Sequence, residues 1–405
     1  MYNKLKMNRS IQNFRTFARK HWLLLAGFGG LALAVFAVLL LRLQTLMPGY
    51  TTEEFNAYRT ASSLNELWKK PIDAPYYLLV HVLQYLTPHN LLAVRLASVL
   101  IGAASVLIFC ILMIRWHGVR TALVGTMLFA FSAWFLHIAR YGSPQAMYLV
   151  FLPLAACGMW LREKQASTAV VLGLALSALL LYTPGMAWFL VFGLFLQWPI
   201  IDKAFKKNPG AVVLGSIFFL AILAPLGWYF YKHTGELVSW LCLPRRFWAH
   251  SSELLRDIIN VPLAIFFRMP SDNPIMQVGR LPVLNVFSSV MFAAGCYVYA
   301  KNVRLARSRL FLAIGVLGSI IIGISQGAIP ITPLVPFAFA VATAGIGYMI
   351  DIWYRVFPRN PLAQGLGMGL LALVILLVAT FQLSSYFVAW PHTTAGRSQF
   401  TIKGP

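Results

Sequence analysis

Thr51-Thr52-Glu53-Glu54 is the stretch in which this sequence gathers groups able to move a proton. Thr51 and Glu54 have the spacing of a capping box, in which each side chain satisfies the other's free backbone N–H at a helix start. That spacing gives Glu54 a structural task. It predicts that glutamine in its place costs only about a few tenths of a kcal/mol and little activity. Glu53 is left without such a task. A carboxylate beside a membrane, partly desolvated, is suited to accept a proton from a hydroxyl, and an acid in a first helical turn also simply favours the helix dipole. Spacing alone leaves both readings open. The second group is Arg140-Tyr141, placed before the break Gly142-Ser143-Pro144. An arginine at a helix C-terminus serves the dipole or holds a phosphate, and position does not separate the two.

The elements that position these residues follow from composition. Hydrophobic residues make up 59% of the 405 positions and charged ones 11%, and the mean hydropathy is +0.73. Such a chain is a polytopic membrane protein rather than a soluble domain. Its apolar runs are continuous rather than alternating, so the fold class expected is all-α, each run crossing a core of about 30 Å as a helix. Spans are predicted at about 22–43, 92–114, 121–138, 147–161, 168–182, 185–200, 211–231, 283–300, 310–325, 333–350 and 362–387, which makes eleven crossings. The domain order is then a basic arm over 1–21, a transmembrane domain over 22–387 with two long outside loops (44–91 and 232–282), and an outside tail over 388–405. The stretch Trp22–Leu41 resembles a signal peptide, but no small-residue cleavage site follows and it is kept as an anchor.

The net charge of +22 does not point to nucleic acid. The basic residues sit in short clusters between apolar runs (Arg15 to Lys20, Lys203 to Lys207, Lys301 to Arg309), where they mark the cytoplasmic side. The N-terminus is therefore expected in the cytoplasm and both long loops outside, in the plasma (inner) membrane. In the first loop Phe55, Tyr58, Ala61, Leu64 and Trp68 recur at helical spacing and predict an amphipathic helix on the membrane surface, broken at Asp73-Ala74-Pro75. Tyr76 to Leu86 is too short to cross comfortably and is read as a second surface or re-entrant helix. The second loop holds Arg245, Arg246, Arg256, Arg268 and Arg280, with an apolar patch at Leu254, Leu255, Ile258 and Ile259. Cys110, Cys157, Cys242 and Cys296, and likewise His81, His89 and His250, show no ligand spacing, so neither a metal site nor another cofactor is expected. The turn Tyr182-Thr183-Pro184-Gly185 and the prolines Pro330, Pro333 and Pro336 have sufficient structural explanations.

Several of these segments, taken together, resemble the C-type (GT-C) glycosyltransferases, the superfamily of protein mannosyltransferases and lipid A aminoarabinose transferases. The likeness lies in Glu53-Glu54-Phe55-Asn56-Ala57, Pro75-Tyr76-Tyr77-Leu78-Leu79 with His81, Arg95-Leu96-Ala97-Ser98, Ala139-Arg140-Tyr141, Asp272-Asn273, Gly279-Arg280-Leu281-Pro282 and the Pro333/Pro336 pair. The resemblance implies transfer of a sugar, with inversion, from a polyprenyl-phosphate carrier to a hydroxyl of a protein, lipid or glycan on the extracytoplasmic face. It implies that the acidic pair of the first loop, here Glu53 and Glu54, supplies the catalytic base, with Glu53 in the base position. It further implies donor-phosphate contacts from Arg140 and Tyr141, and substrate contacts from Asp73, Tyr76, His81, Asp272 and Asn273. Two departures are visible. Ser143-Pro144-Gln145 stands where many relatives carry a second carboxylate, and Ile329-Pro330 where they carry Arg-Tyr, which shifts phosphate binding towards Arg245, Arg246 or Arg280. The competing class is a transporter or lipid-linked-sugar flippase. Proteins of that class place ionisable groups inside the membrane and repeat their halves, whereas the predicted spans have no Asp, Glu, Lys or Arg near their centres and no repeat is visible.

Overall fold

The computed structural model describes residues 22–47, 49–87, 90–164, 166–243, 251–267, 278 and 281–402. By internal contacts the chain falls into two units, Met1–Leu41 and Arg42–Pro405. The first contributes one described element, helix α1 (Trp22–Leu40), 19 residues without a charged side chain.

The second unit opens with three short helices, α2 (Thr52–Ala61), α3 (Leu64–Lys69) and α4 (Ala74–Leu86). The predicted surface helix is thus two helices, because Ser62 and Ser63 interrupt it. Its large apolar residues Phe55, Leu64 and Trp68 are exposed, while the small Ala57 and Ala61 pack inward with Tyr76, Val80 and Ala97. Then come α5 (Leu92–His117), α6 (Val119–Ala130) and α7 (Ala133–Arg140), a short 3₁₀ turn at Pro144–Val150 leading into α8 (Phe151–Lys164), then α9 (Ser167–Leu180), α10 (Met186–Lys207) and α11 (Pro209–Lys232). After α12 (Glu236–Trp240) and α13 (Ser251–Phe266) follow α14 (Val286–Lys301), α15 (Ala306–Ile324), α16 (Leu334–Val356) and α17 (Pro361–Ser384), and a last short α18 (Thr394–Arg397). The apolar patch of the second loop lies in α13, where the backbone of Ile258 closes on Gly323 of α15.

Each predicted span overlaps one of these helices, except that 121–138 is two helices and 147–161 opens in the 3₁₀ turn. Ser132 caps α7 by accepting from the Phe135 N–H, Gln382 accepts from the Ala133 N–H, and α6 and α7 meet at 63°. Among the described residues seven helices are long and apolar enough to cross a membrane, or eight if the bent pair is one span; Ala26–Leu40, α9 and α14 are apolar but shorter. Phe195 and Trp198 on α10, Val213 and Leu220 on α11, and Leu362 and Leu366 on α17 turn large apolar side chains outward, as lipid-facing helices do. The chain is an all-α, multi-pass membrane protein. Its centre is built by close approach of backbones as much as by bulk. A Cβ on Gly295 of α14 would strike the Val341 carbonyl of α16, and one on Gly345 the Met291 carbonyl, the small-residue contact that lets membrane helices touch.

Candidate functional site

The start of α2, the first turn of α5 and the end of α7 converge on the acidic pair. The capping box is present as the spacing predicts: the Glu54 N–H donates to Thr51 Oγ1 at 3.2 Å and the Thr51 N–H to Glu54 Oε2 at 3.0 Å. Glu54 does more than cap. It is fully buried and takes two hydrogen bonds from Arg95, Nε to Oε1 at 2.7 Å and Nη2 to Oε2 at 3.0 Å. The Gly142 N–H adds a fourth, to Oε1 at 3.3 Å. A side chain at position 142 would press on Glu54 and Val94, which explains glycine after Arg140-Tyr141. The guanidinium of Arg95 also donates to the carbonyls of Leu43 and Gly49 and lies 4.2 Å over the Tyr50 ring. Two opposite charges are thus buried together with their hydrogen bonds made, an arrangement that tolerates no loss of one partner. With Arg95 as its partner, Glu54→Gln is expected to be costly rather than nearly silent.

Glu53, one residue earlier, points elsewhere. Its side chain is half-buried, and Oε2 accepts from the Tyr141 hydroxyl at 3.0 Å. Tyr141 is 2.9 Å from Thr51 Oγ1. Because the tyrosine proton is given to Glu53, the threonine proton goes to Tyr141, so a directed chain runs from the Glu54 N–H through Thr51 and Tyr141 to Glu53. Among the described residues Tyr141 is the one hydrogen-bond partner of the Glu53 side chain, which leaves Oε1 for a ligand proton.

Arg140 is 3% exposed and lies under the rings of Phe387 (4.6 Å) and Tyr386 (5.4 Å). With Glu54, Arg95 and Tyr141 it borders a cavity of ≈ 20 Å³, space for about one water molecule and not for a phosphate. Tyr386, Trp390 and Phe400 of the C-terminal segment form the other wall. That segment is anchored by a two-way bridge between Tyr50 and Ile402, with N···O distances of 2.8 and 3.1 Å. The expected outside tail 388–405 thus supplies a wall of this cavity through its aromatic residues Trp390 and Phe400.

The implied substrate residues fall in different places. Tyr76 is fully buried and its hydroxyl binds the Val94 carbonyl (2.9 Å) and Ser98 (3.0 Å), fastening α4 to α5. His81 Nδ1 is 2.7 Å from the Ala61 carbonyl, a bond between helices. Asp73 adopts a left-handed backbone (φ 58°), and its N–H donates to the Tyr182 carbonyl at 3.0 Å. The residue keeps some exposure but Oδ1 is enclosed without a hydrogen-bond partner among the described residues, and burial pushes the carboxyl up to about 7. Burial, with Asp73 and Glu53 adding to it, raises the Tyr77 phenol. Arg245, Arg246, Arg280, Asp272 and Asn273, like His89 and His250, lie outside the described residues.

The 44–91 and 232–282 segments do meet. The turn at 182–185 that receives Asp73 is held by the start of the second loop, through Gly185 N–H to the Trp240 carbonyl (2.9 Å) and Trp240 Nε1 to the Leu181 carbonyl (3.0 Å). Lys70 and Glu236 add an exposed ion pair at 3.6 Å, worth little by itself. Raising the folded-state pKa of Asp73 means that the folded state holds the proton longer than the unfolded one, so its stability contribution is present at low pH and lost as pH rises. Relative to Asp73→Asn, the wild type is expected to lose up to roughly 1.4 kcal/mol per pH unit between 3.8 and about 7. Melting curves of both proteins across that window measure it; parallel curves would remove the enclosed carboxylate from the account. No family model matches the chain, and no curated protein matches it.

Proposed function

We propose that the protein is a glycosyltransferase that moves a sugar from a polyprenyl-phosphate carrier to a hydroxyl acceptor, with inversion, on the extracytoplasmic face. The eleven helical segments cross the membrane with the N-terminus in the cytoplasm, which puts α2 to α4 and the 232–282 loop outside. The observation that carries the reading is the division of labour in the acidic pair. Glu54 is consumed by Arg95, and Glu53 is held by one hydrogen bond with one oxygen open.

In this reading the acceptor hydroxyl gives its proton to Glu53 as its oxygen attacks the anomeric carbon. The bond from that carbon to the carrier phosphate oxygen breaks, and both its electrons leave with the phosphate. Arginines in a partly dry cleft stabilise the charge that develops there. Arg245, Arg246 or Arg280 takes that role in this reading, since Arg140 faces a cavity too small for phosphate. Exposed Phe55, Leu64 and Trp68 seat the first loop at the lipid surface, where a carrier with an apolar tail enters sideways. Purified protein incubated with a panel of polyprenyl-phosphate sugars and a membrane extract is expected to release polyprenyl phosphate from at least one donor. Release from none would reject the proposal.

A further inference from the structure

Between α5, α8, α9, α10, α15 and α16 lies a second cavity of ≈ 390 Å³, within the range of small-molecule sites. Its wall is almost wholly apolar. It follows α8 from Phe151 to Arg162, roughly 17 Å at 1.5 Å per residue, and α10 from Ala187 to Phe205, roughly 27 Å. Half of the hydrocarbon core is about 15 Å, so the cavity is long enough for one acyl chain. Val191 and Leu194 border the cavity and are also exposed on α10, so it opens sideways towards lipid.

One end is charged. Arg162 and Arg307 line the cavity, and among the described residues no Asp or Glu does. Arg307 donates to the Trp116 carbonyl at 2.8 Å, and Arg115 pairs with Glu163 at 3.5 Å, so the ends of α5, α8 and α15 meet there. The acids nearest in sequence are engaged, Glu163 by Arg115 and Asp202 by Lys206. Arg95 stands in the first turn of α5 and Trp116 in its last, roughly 32 Å apart along the helix axis. A phosphate at the arginine end therefore cannot present a sugar to Glu53.

We propose that this cavity is a site for an anionic phospholipid, one acyl chain lying between the helices and the headgroup phosphate on Arg162 and Arg307. The occupant is a resident of the bilayer, distinct from any sugar donor. Charge complementarity selects it over a neutral lipid, and the lateral opening admits it.

The test uses the full chain, delipidated in detergent and given phosphatidylglycerol or phosphatidylcholine of the same acyl chains, with bound lipid counted by native mass spectrometry. Phosphatidylglycerol is expected to bind more tightly by about fivefold for each arginine. Arg162→Gln, an exposed and structurally undemanding change, should remove one such factor, and addition of Arg307→Gln should bring the two lipids level. Gly158 and Gly193 line the cavity, and a Cβ at either meets nothing within 4 Å. Gly158→Leu and Gly193→Leu should therefore fold, melt like the wild type and lose both lipids. Equal binding of the two lipids by the wild type, or undiminished binding by either leucine variant at wild-type melting temperature, would overturn the proposal.

Discussion

Glu54→Gln is expected to destabilise the protein by roughly 3–5 kcal/mol, the usual cost of stranding one charge of a buried pair. Glutamine can still complete the capping box, so the loss comes from Arg95, which is left charged, 4% exposed and without its carboxylate. Arg95→Met should cost a similar amount, because it leaves Glu54 buried with only N–H donors from Thr51 and Gly142. The double change removes both charges and should recover a good part of either loss, though not all, since Arg95 also ties down the carbonyls of Leu43 and Gly49. Thermal unfolding of the three variants in one detergent measures this cycle. If Glu54→Gln melts within a degree or so of the wild type, the ion pair is not what holds the first loop to α5.

Glu53→Gln should show the opposite pattern. The change keeps the shape and a hydrogen-bond acceptor for Tyr141, so stability should shift by no more than about 1 kcal/mol. Under the proposed function, loss of the proton acceptor should lower sugar transfer by about 10² to 10⁴. Adjacent residues on a helix point about 100° apart, which is why one carboxylate enters the core and its neighbour does not. The measurement is the initial rate of transfer at matched protein level. A Glu53→Gln protein as fast as the wild type would take the base out of this position.

Much of the architecture was legible in the sequence. Continuous apolar runs ended by basic clusters locate helices well, because lipid permits no other backbone arrangement without a closed barrel. The capping box was legible too, since its partners are three residues apart. What escaped depended on distance along the chain. Arg95 is 41 residues from Glu54, yet a lone arginine in the first turn of an apolar helix needs a partner, and the scarcity of acids could have pointed to Glu54. The break between α6 and α7 escaped because Phe131 and Ser132 interrupt no hydropathy pattern; the turn is satisfied from Gln382. The C-terminal segment over Arg140 escaped for the same reason: its hold on Tyr50 is a backbone bridge, which leaves no mark in side-chain types. The contacts that Tyr76 and His81 make between helices likewise leave no mark in sequence.

One measurement separates the proposed chemical transfer from translocation. Purified protein is reconstituted into liposomes carrying a polyprenyl-phosphate sugar labelled in the sugar, with a membrane extract as the source of acceptor. The account predicts that label moves from the carrier to the acceptor fraction while an equal amount of polyprenyl phosphate appears, and that Glu53→Gln vesicles do neither. Intact labelled donor crossing from one leaflet to the other, with no polyprenyl phosphate released, would contradict it.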